Sequence, residues 1–318
     1  MNLTMRNCRD EDDWARIRAF LRSAMLAGGL TELSWHVGRL DYWRWHIIAN
    51  DLDGLGFSVN DVTFLWETPD GDLAAVLNPD SFGQAFLQLH PSYCPVELQA
   101  EMIDVAEQRL GKQAPGGSRT IEVWADSRDE ARAALLASRG YARGPGRSEH
   151  CFRRMLDVPM PEAEATPGYT IRPVGDGLEL LERCYASGLG FHGGDIRVAV
   201  DNRSDPTWYR SIQTAPLYRR DLDLVAVAAD GSIASFCTIW YDDVTRTGMY
   251  EPVATVPAHQ GRGLAKATML EGLRRLKRMG AVAAFVGGYS DAARALYASF
   301  AGAGPYAVAE PWVRRLEG

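Results

Sequence analysis

Long apolar runs are missing from this 318-residue chain. No stretch approaches the ~20 residues that cross a bilayer as a helix. Basic charge is in deficit too. Thirty-four Lys and Arg against 41 Asp and Glu leave a net charge of −7, which argues against a general binder of nucleic acid or of an anionic membrane. Paired cysteines are lacking. Cys8, Cys94, Cys151, Cys184 and Cys237 are dispersed, with no CxxC and no metal-ligand spacing. They read as free thiols in a reducing compartment, with no metal. The first 18 residues are too polar and acidic for a signal peptide, so the expectation is a cytoplasmic protein. The GxxxxGK[ST] phosphate loop and the GxSxG elbow do not occur. Their absence counts against a P-loop nucleotide binder and against a serine hydrolase.

What is present is ordinary in bulk: 46% hydrophobic and 24% charged residues, enough to bury a core, at a length that suggests two domains. A proline- and acid-rich stretch at 157–168, DVPMPEAEATPG, has no apolar period and reads as a linker. It splits the chain nearly in half, and the halves align. ETPDGDLAAVL (67–77) matches VAADGSIASFC (227–237), LHPSYCPVEL (89–98) matches TVPAHQGRGL (255–264), and EARAALLASRG (130–140) matches AARALYASFAG (292–302). The offsets are 160 (230 − 70), 166 (257 − 91) and 162 (294 − 132), equal but for short loop insertions. The reading is a duplication with domains at 1–156 and 169–318.

The second half reads as strand 169–174, helix 177–189, a helical piece near 205–213, strands on either side of Asp230-Gly231, and strand 247–256. A helix over 262–279 follows, its apolar face Ala265, Met269, Leu273, Leu276 and Met279, with Gly280 as its stop. Strand 281–287, helix 291–300 and a last strand in YAVAEPWVRRL complete it. Strands that precede a strand–helix–strand unit predict an α/β mixed sheet, mostly antiparallel with one parallel crossover, in each half.

The strand-to-helix turn VPAHQGRGLAKA, 256–267, concentrates two glycines and two cations. A helix start leaves N–H groups unpaired and carries partial positive charge, so a phosphate fits there. Gln260, Gly261, Arg262, Gly263, Leu264 and Ala265 could cradle a pyrophosphate on main-chain donors, with charge added by Arg262 and Lys266. A tight turn with two exposed cations is the plainer alternative.

In this context the second half resembles the GCN5-related N-acetyltransferases (GNAT). Their acetyl-CoA loop follows Gln/Arg-x-x-Gly-x-Gly/Ala, which Gln260–Ala265 fits; Val256-Pro257 fits the end of the preceding strand, and Tyr297 stands in the helix after the next strand. Two departures are Ser290, where the family often has Asn, and Phe300-Ala301-Gly302 after the tyrosine helix. The resemblance implies acetyl-CoA as co-substrate, its pyrophosphate on the loop and its pantetheine arm paired with the strand at Val253, Ala254, Thr255 and Val256. It implies direct attack by a primary amine of a small molecule in a ternary complex. Tyr297 is then the acid that protonates the leaving thiolate, because a phenol can share a proton with a thiol.

Glu251, a carboxylate inside a strand, reads either as a desolvated general base or as a solvated edge glutamate beside Pro252. His259, Asp243 and Tyr250 are weaker base candidates. Ser290 reads equally as a cofactor contact and as a helix N-cap. Phe191, His192, Trp208, Tyr209, Trp240 and Tyr241 fall in acceptor-side segments and could line a pocket or fill a core.

In the first half Pro95 replaces a donor, Glu97 lies over Gly263, and Leu136 is read as the counterpart of Tyr297, one residue off the 162 offset (297 − 136 = 161). That half reads as a degenerate GNAT-like domain. The two-domain plan is similar to tandem acetyltransferases such as mycothiol synthase, in architecture. Expected partners are a small-molecule amine, with no nucleic acid and no membrane, in a monomer or homodimer. A reading of another class is a non-catalytic acyl-CoA-binding sensor or interaction module.

Overall fold

The computed structural model describes residues 2–31, 34–48, 58–113, 117–160 and 166–316. The chain forms two compact units, Met1–Cys151 with Pro305–Gly318, and Phe152–Gly304. The expected linker at 157–168 falls partly outside the described residues, at 161–165. The last strand of the chain packs in unit 1, although by sequence position it follows the second half.

Unit 1 comprises β1 (Thr4–Asn7), α1 (Glu11–Ala27), α2 (Val37–Tyr42) running into a π-helical turn (Trp43–Ile48), β2 (Phe64–Glu67), β3 (Leu73–Asn78) and β4 (Gln84–Leu89). After these come α3 (Val96–Arg109), β5 (Lys112–Gln113), β6 (Arg119–Asp126), α4 (Glu130–Ser138), β7 (Ala142–Arg143) and the opening of β8 (Glu149–Met155). Strand β14 (Ala307–Leu316) joins this unit from the far end of the chain. The order is β1-β2-β3-β4-β6-β14, antiparallel throughout except for β4 and β6. That parallel pair needs a crossover, and α3 supplies it.

Unit 2 comprises β9 (Tyr169–Pro173), α5 (Leu178–Phe191), α6 (Ile196–Ser204), α7 (Thr207–Ile212), β10 (Asp223–Ala228), β11 (Ile233–Asp242) and β12 (Thr247–Thr255). Then follow α8 (Leu264–Arg278), β13 (Ala283–Gly288) and α9 (Asp291–Ala301). The order is β13-β12-β11-β10-β9, with β12 and β13 parallel and the other pairs antiparallel. Helix α6 is a finding beyond the sequence reading; its IRVAVDNRS pattern has β-branched residues and few strong helix formers.

The repeat is visible in backbone detail. Both hairpins turn on a glycine with positive φ, +88° at Gly71 and +87° at Gly231. Gly71 N–H donates to Thr68 O and Gly231 N–H to Ala228 O, both at 2.9 Å. Each hairpin carries a bulge at the same place, Trp66/Glu67 and Ala226/Val227, an offset of 160 (226 − 66). A bulge conserved in position through a duplication is a built feature.

Helix α8 packs on the unit 2 sheet. Met269, Leu270, Leu273 and Leu276 meet Leu224, Cys237, Ile239 and Tyr250, together with Tyr297 and Phe300 of α9. The helix begins at Leu264, two residues later than the sequence suggested, because Gly263 is left-handed at φ +75° and serves as N-cap. Its buried stripe begins at Leu264 and widens to Ala267 and Thr268, while Ala265 and Met279 are half-buried. Gly280 ends it as expected, at φ +84°, with Ala281 N–H reaching back to Leu276 O at 3.0 Å.

Candidate functional site

The site is built where β12 leaves β13. The two strands pair only at Thr247, Gly248 and Met249. On its other side β12 stays paired with β11 as far as Thr255, across a register shift that bulges Glu251 and Pro252. From Tyr250 to Thr255, therefore, β12 has no β13 partner among the described residues, and one row of its backbone groups faces the gap. Val253, Ala254 and Thr255 lie on this stretch and are half-buried, and Val256 follows, buried.

Beyond Val256 a single 3₁₀ turn, Pro257–His259, leads into the glycine turn. Gly261 at φ +74° and Gly263 at φ +75° both occupy the left-handed region, which costs any side chain roughly 1–2 kcal/mol. A Cβ at either glycine would meet no heavy atom within 4 Å. The conformation, rather than crowding inside the protein, is what calls for glycine.

Its consequence is a run of unspent donors. Gln260 N–H bonds Pro257 O at 3.2 Å, and Ala267 N–H bonds Gly263 O at 2.9 Å. Between them no N–H from Gly261 to Lys266 has a hydrogen-bond partner among the described residues. Six consecutive free donors at the positive end of a 15-residue helix are an arrangement that can hold an anion. The polar side chains here are held in place. Gln260 Nε2 donates to Thr255 O at 3.1 Å, Arg262 Nη1 donates to Tyr169 Oη at 2.8 Å, and Lys266 Nζ donates to Ser299 Oγ at 2.7 Å. Both cations thus rest on neutral hydroxyls, so their charge is left for an incoming anion. Tyr169, which also bonds His259 Nδ1 at 2.9 Å, went unnoticed in the sequence. It stands at the start of β9, distant along the chain from the loop it supports.

Tyr297 lies on α9 and is 6% exposed. Its ring packs edge-on against Phe152, centroids 6.1 Å apart. Gly288, at the end of β13, makes room for it: a Cβ there would come within 2.7 Å of the ring. The Lys266–Ser299 bond ties α9, two residues beyond Tyr297, to the first turn of α8. Glu251 is half-buried in the bulge, two residues past the last β12–β13 pair, and its carbonyl accepts from Trp240 Nε1 at 2.7 Å.

The remaining candidates separate by position. Tyr250 Oη donates to Met269 O at 2.9 Å inside the core, and burial pushes its phenol well above the ordinary value; it is a packing residue and no base. Asp243 lies in the exposed turn between β11 and β12, at the opposite end of β12 from the loop. Ser290 caps α9, its Oγ accepting from Ala293 N–H at 3.1 Å. On the acceptor side, Tyr209 and Trp240 are buried, whereas Phe191 is 53% exposed.

The matching turn of unit 1 has a shorter run of donors, with the N–H groups of Val96, Glu97 and Leu98 unpartnered among the described residues and a proline before them. Pro95, the N-cap of α3, is held at φ −64° and Glu97 lies in the first turn. Counted from their caps Asp129 and Ser290, Leu136 and Tyr297 are both seven residues in (136 − 129 and 297 − 290), and both are buried.

The acetyltransferase (GNAT) family profile matches residues 196–303. A mycothiol acetyltransferase of Paenarthrobacter aurescens (strain TC1) is 27% identical over 241 residues, covering 71% of this chain and 69% of the relative. Among solved structures, a GCN5-related N-acetyltransferase from Sphaerobacter thermophilus superposes with a TM-score of 0.67 at 20% identity, over 99% of this chain and 96% of that one. A tandem GNAT protein from the clavulanic acid biosynthesis pathway gives 0.63 at 15% identity, over 100% and 99%. Residues 196–303 carry the match to the acetyltransferase (GNAT) family, the fold is that of tandem GNAT proteins, and the protein is an N-acetyltransferase.

Proposed function

We propose that unit 2 transfers an acetyl group from acetyl-CoA to a primary amine of a small molecule, and that unit 1 has lost this chemistry. The observation that carries the reading is the run of unpaired N–H groups from Gly261 to Lys266, beside a strand whose edge is open from Tyr250 onward. The cradle takes the pyrophosphate, with Arg262 and Lys266 adding charge; Gln260, Leu264 and Ala265 complete the turn. The open edge at Val253, Ala254 and Thr255 takes the amides of the pantetheine arm in strand fashion, which sets the thioester at the fork beside Glu251.

There Glu251 accepts a proton from the acceptor ammonium, directly or through water. The neutral amine attacks the thioester carbonyl, the new C–N bond forms and the C–S bond breaks. Tyr297 gives its phenolic proton to the departing thiolate and regains one from the amine nitrogen by way of solvent, so protons balance over the cycle. Ser290 holds the start of the helix that carries Tyr297.

The test is thiol release from acetyl-CoA over a panel of small primary amines. Saturable turnover with at least one amine, reduced in Tyr297→Phe through kcat, supports the reading. Tight acetyl-CoA binding with no turnover on any amine makes unit 2 an acyl-CoA sensor instead.

A further inference from the structure

Arg183 lies on α5 and is fully buried, at 0% exposure. None of its three guanidinium nitrogens has a hydrogen-bond partner among the described residues. Its faces are taken: the guanidinium carbon sits 3.4 Å from the centroid of the Phe236 ring and 4.9 Å from that of Tyr209. The rings cover the two faces of the guanidinium, and its edge, where the N–H groups point, is buried without a hydrogen-bond partner among the described residues.

The buried carboxylate of this region is already satisfied by others. Asp223, at 0% exposure, accepts from Tyr209 Oη and, at 2.9 Å, from Tyr218 Oη on one oxygen; its other oxygen accepts from Thr238 Oγ1 at 3.0 Å. Burial holds both phenols above their ordinary pKa, so they stay neutral donors. A buried, unpaired charge is among the costliest arrangements a fold can hold, and the two stacked rings offset it only through its faces.

The location indicates a use. Phe236 pairs in register with Ala254, three residues past Glu251, and the two share one apolar cluster. Tyr209 rides on α7, a six-residue helix whose N-cap, Pro206, makes no side-chain capping bond. Two glycines in the left-handed region, Gly193 at +62° and Gly194 at +88°, precede α6 and α7.

We infer that Arg183 receives a carboxylate of the acceptor, in the plane of its guanidinium, when α7 lifts, so that the acceptor class is an amino acid rather than a polyamine or an amino sugar. A bidentate carboxylate supplies the geometry that the unspent N–H edge fits. The inference rests on the acetyl transfer proposed above and narrows its substrate.

The experiment uses the full chain and matched acceptors: glycine, β-alanine, 4-aminobutyrate and a set of L-α-amino acids, each beside its carboxamide, with thiol release from acetyl-CoA as readout. Wild type should prefer at least one free carboxylate over its amide by roughly tenfold or more in kcat/KM. In Arg183→Met that preference should fall to near unity through KM, and Arg183→Lys should keep part of it. The Tm of unliganded Arg183→Met should equal or exceed that of wild type, since an unpaired buried charge is gone. A merely structural arginine would do the reverse, lowering Tm and leaving the preference intact, and that result overturns the inference. So does a wild type that binds acetyl-CoA calorimetrically yet favours no carboxylate. Failure to bind acetyl-CoA at all sinks the transferase reading, and this inference with it.

Discussion

Gly263 carries two separable demands. Its φ of +75° is a backbone demand, and the open space around its missing Cβ is where the proposed reading brings the ligand. Gly263→Ala should therefore fold with a loss of roughly 1–2 kcal/mol and weaken acetyl-CoA binding only in part, as thermal melts and calorimetry would show. Tyr297→Phe removes one hydroxyl from a ring whose packing against Phe152 stays. It should lower kcat by about 10²-fold or more with acetyl-CoA affinity preserved; unchanged kcat would make the tyrosine a core residue only. At this scale the sequence was legible where a residue type is costly for its place, as at Gly261 and Gly263, or at Pro95 in the other half. It was illegible for Arg183. An arginine in LLERCYAS reads as solvated, and only its spacing from Leu180, Cys184 and Ser187, all buried, set it on the inner face. Tyr169 was illegible for another reason, since its partners Arg262 and His259 are about 90 residues away along the chain.

Among the elements, hairpins and long helices were readable because their signals are local. Asp-Gly turns, the α8 period and the Gly280 stop all stand where the pattern put them. Two features were not. Helix α6 has a composition that fails to announce it, and the parting of β12 from β13 depends on where a strand stops pairing, which no local pattern encodes. Helix α9 offers a test of an ambiguous residue. Ser290→Ala should cost about 1 kcal/mol through the lost cap, and Ser290→Asp should restore it. Acetyl-CoA affinity that falls in the alanine variant and fails to return with aspartate would show that the serine also contacts the ligand.

Taken whole, the chain does not fold as two consecutive halves, and this could not be read from a repeat that is consecutive. Strand β14 pairs with β6 over Ala309–Leu316, and Trp312 and Leu316 belong to the unit 1 core. A chain ending at residue 304 should leave unit 1 unfolded, and Trp312→Ala should destabilise it by roughly 3–5 kcal/mol, both measurable by denaturant titration. Unit 1 also carries an acid-sensitive ion pair. Arg6 holds the Asp13 carboxyl down to about 2 from its ordinary 3.8. A depressed carboxylate contributes stability that is present above the unfolded pKa and lost as pH falls through the folded one. Unit 1 stability should therefore drop between about pH 4 and pH 2, and Arg6→Gln should flatten that part of the profile.

Of the two related turns, the one in unit 2 is proposed to hold a phosphate that the one in unit 1 cannot. Calorimetric titration of acetyl-CoA into the full chain and into Gly263→Glu, which copies the charge that Glu97 places in unit 1, tests it directly. Wild type should bind one equivalent and the variant none. Equal binding by both, or none by the wild type, would contradict it.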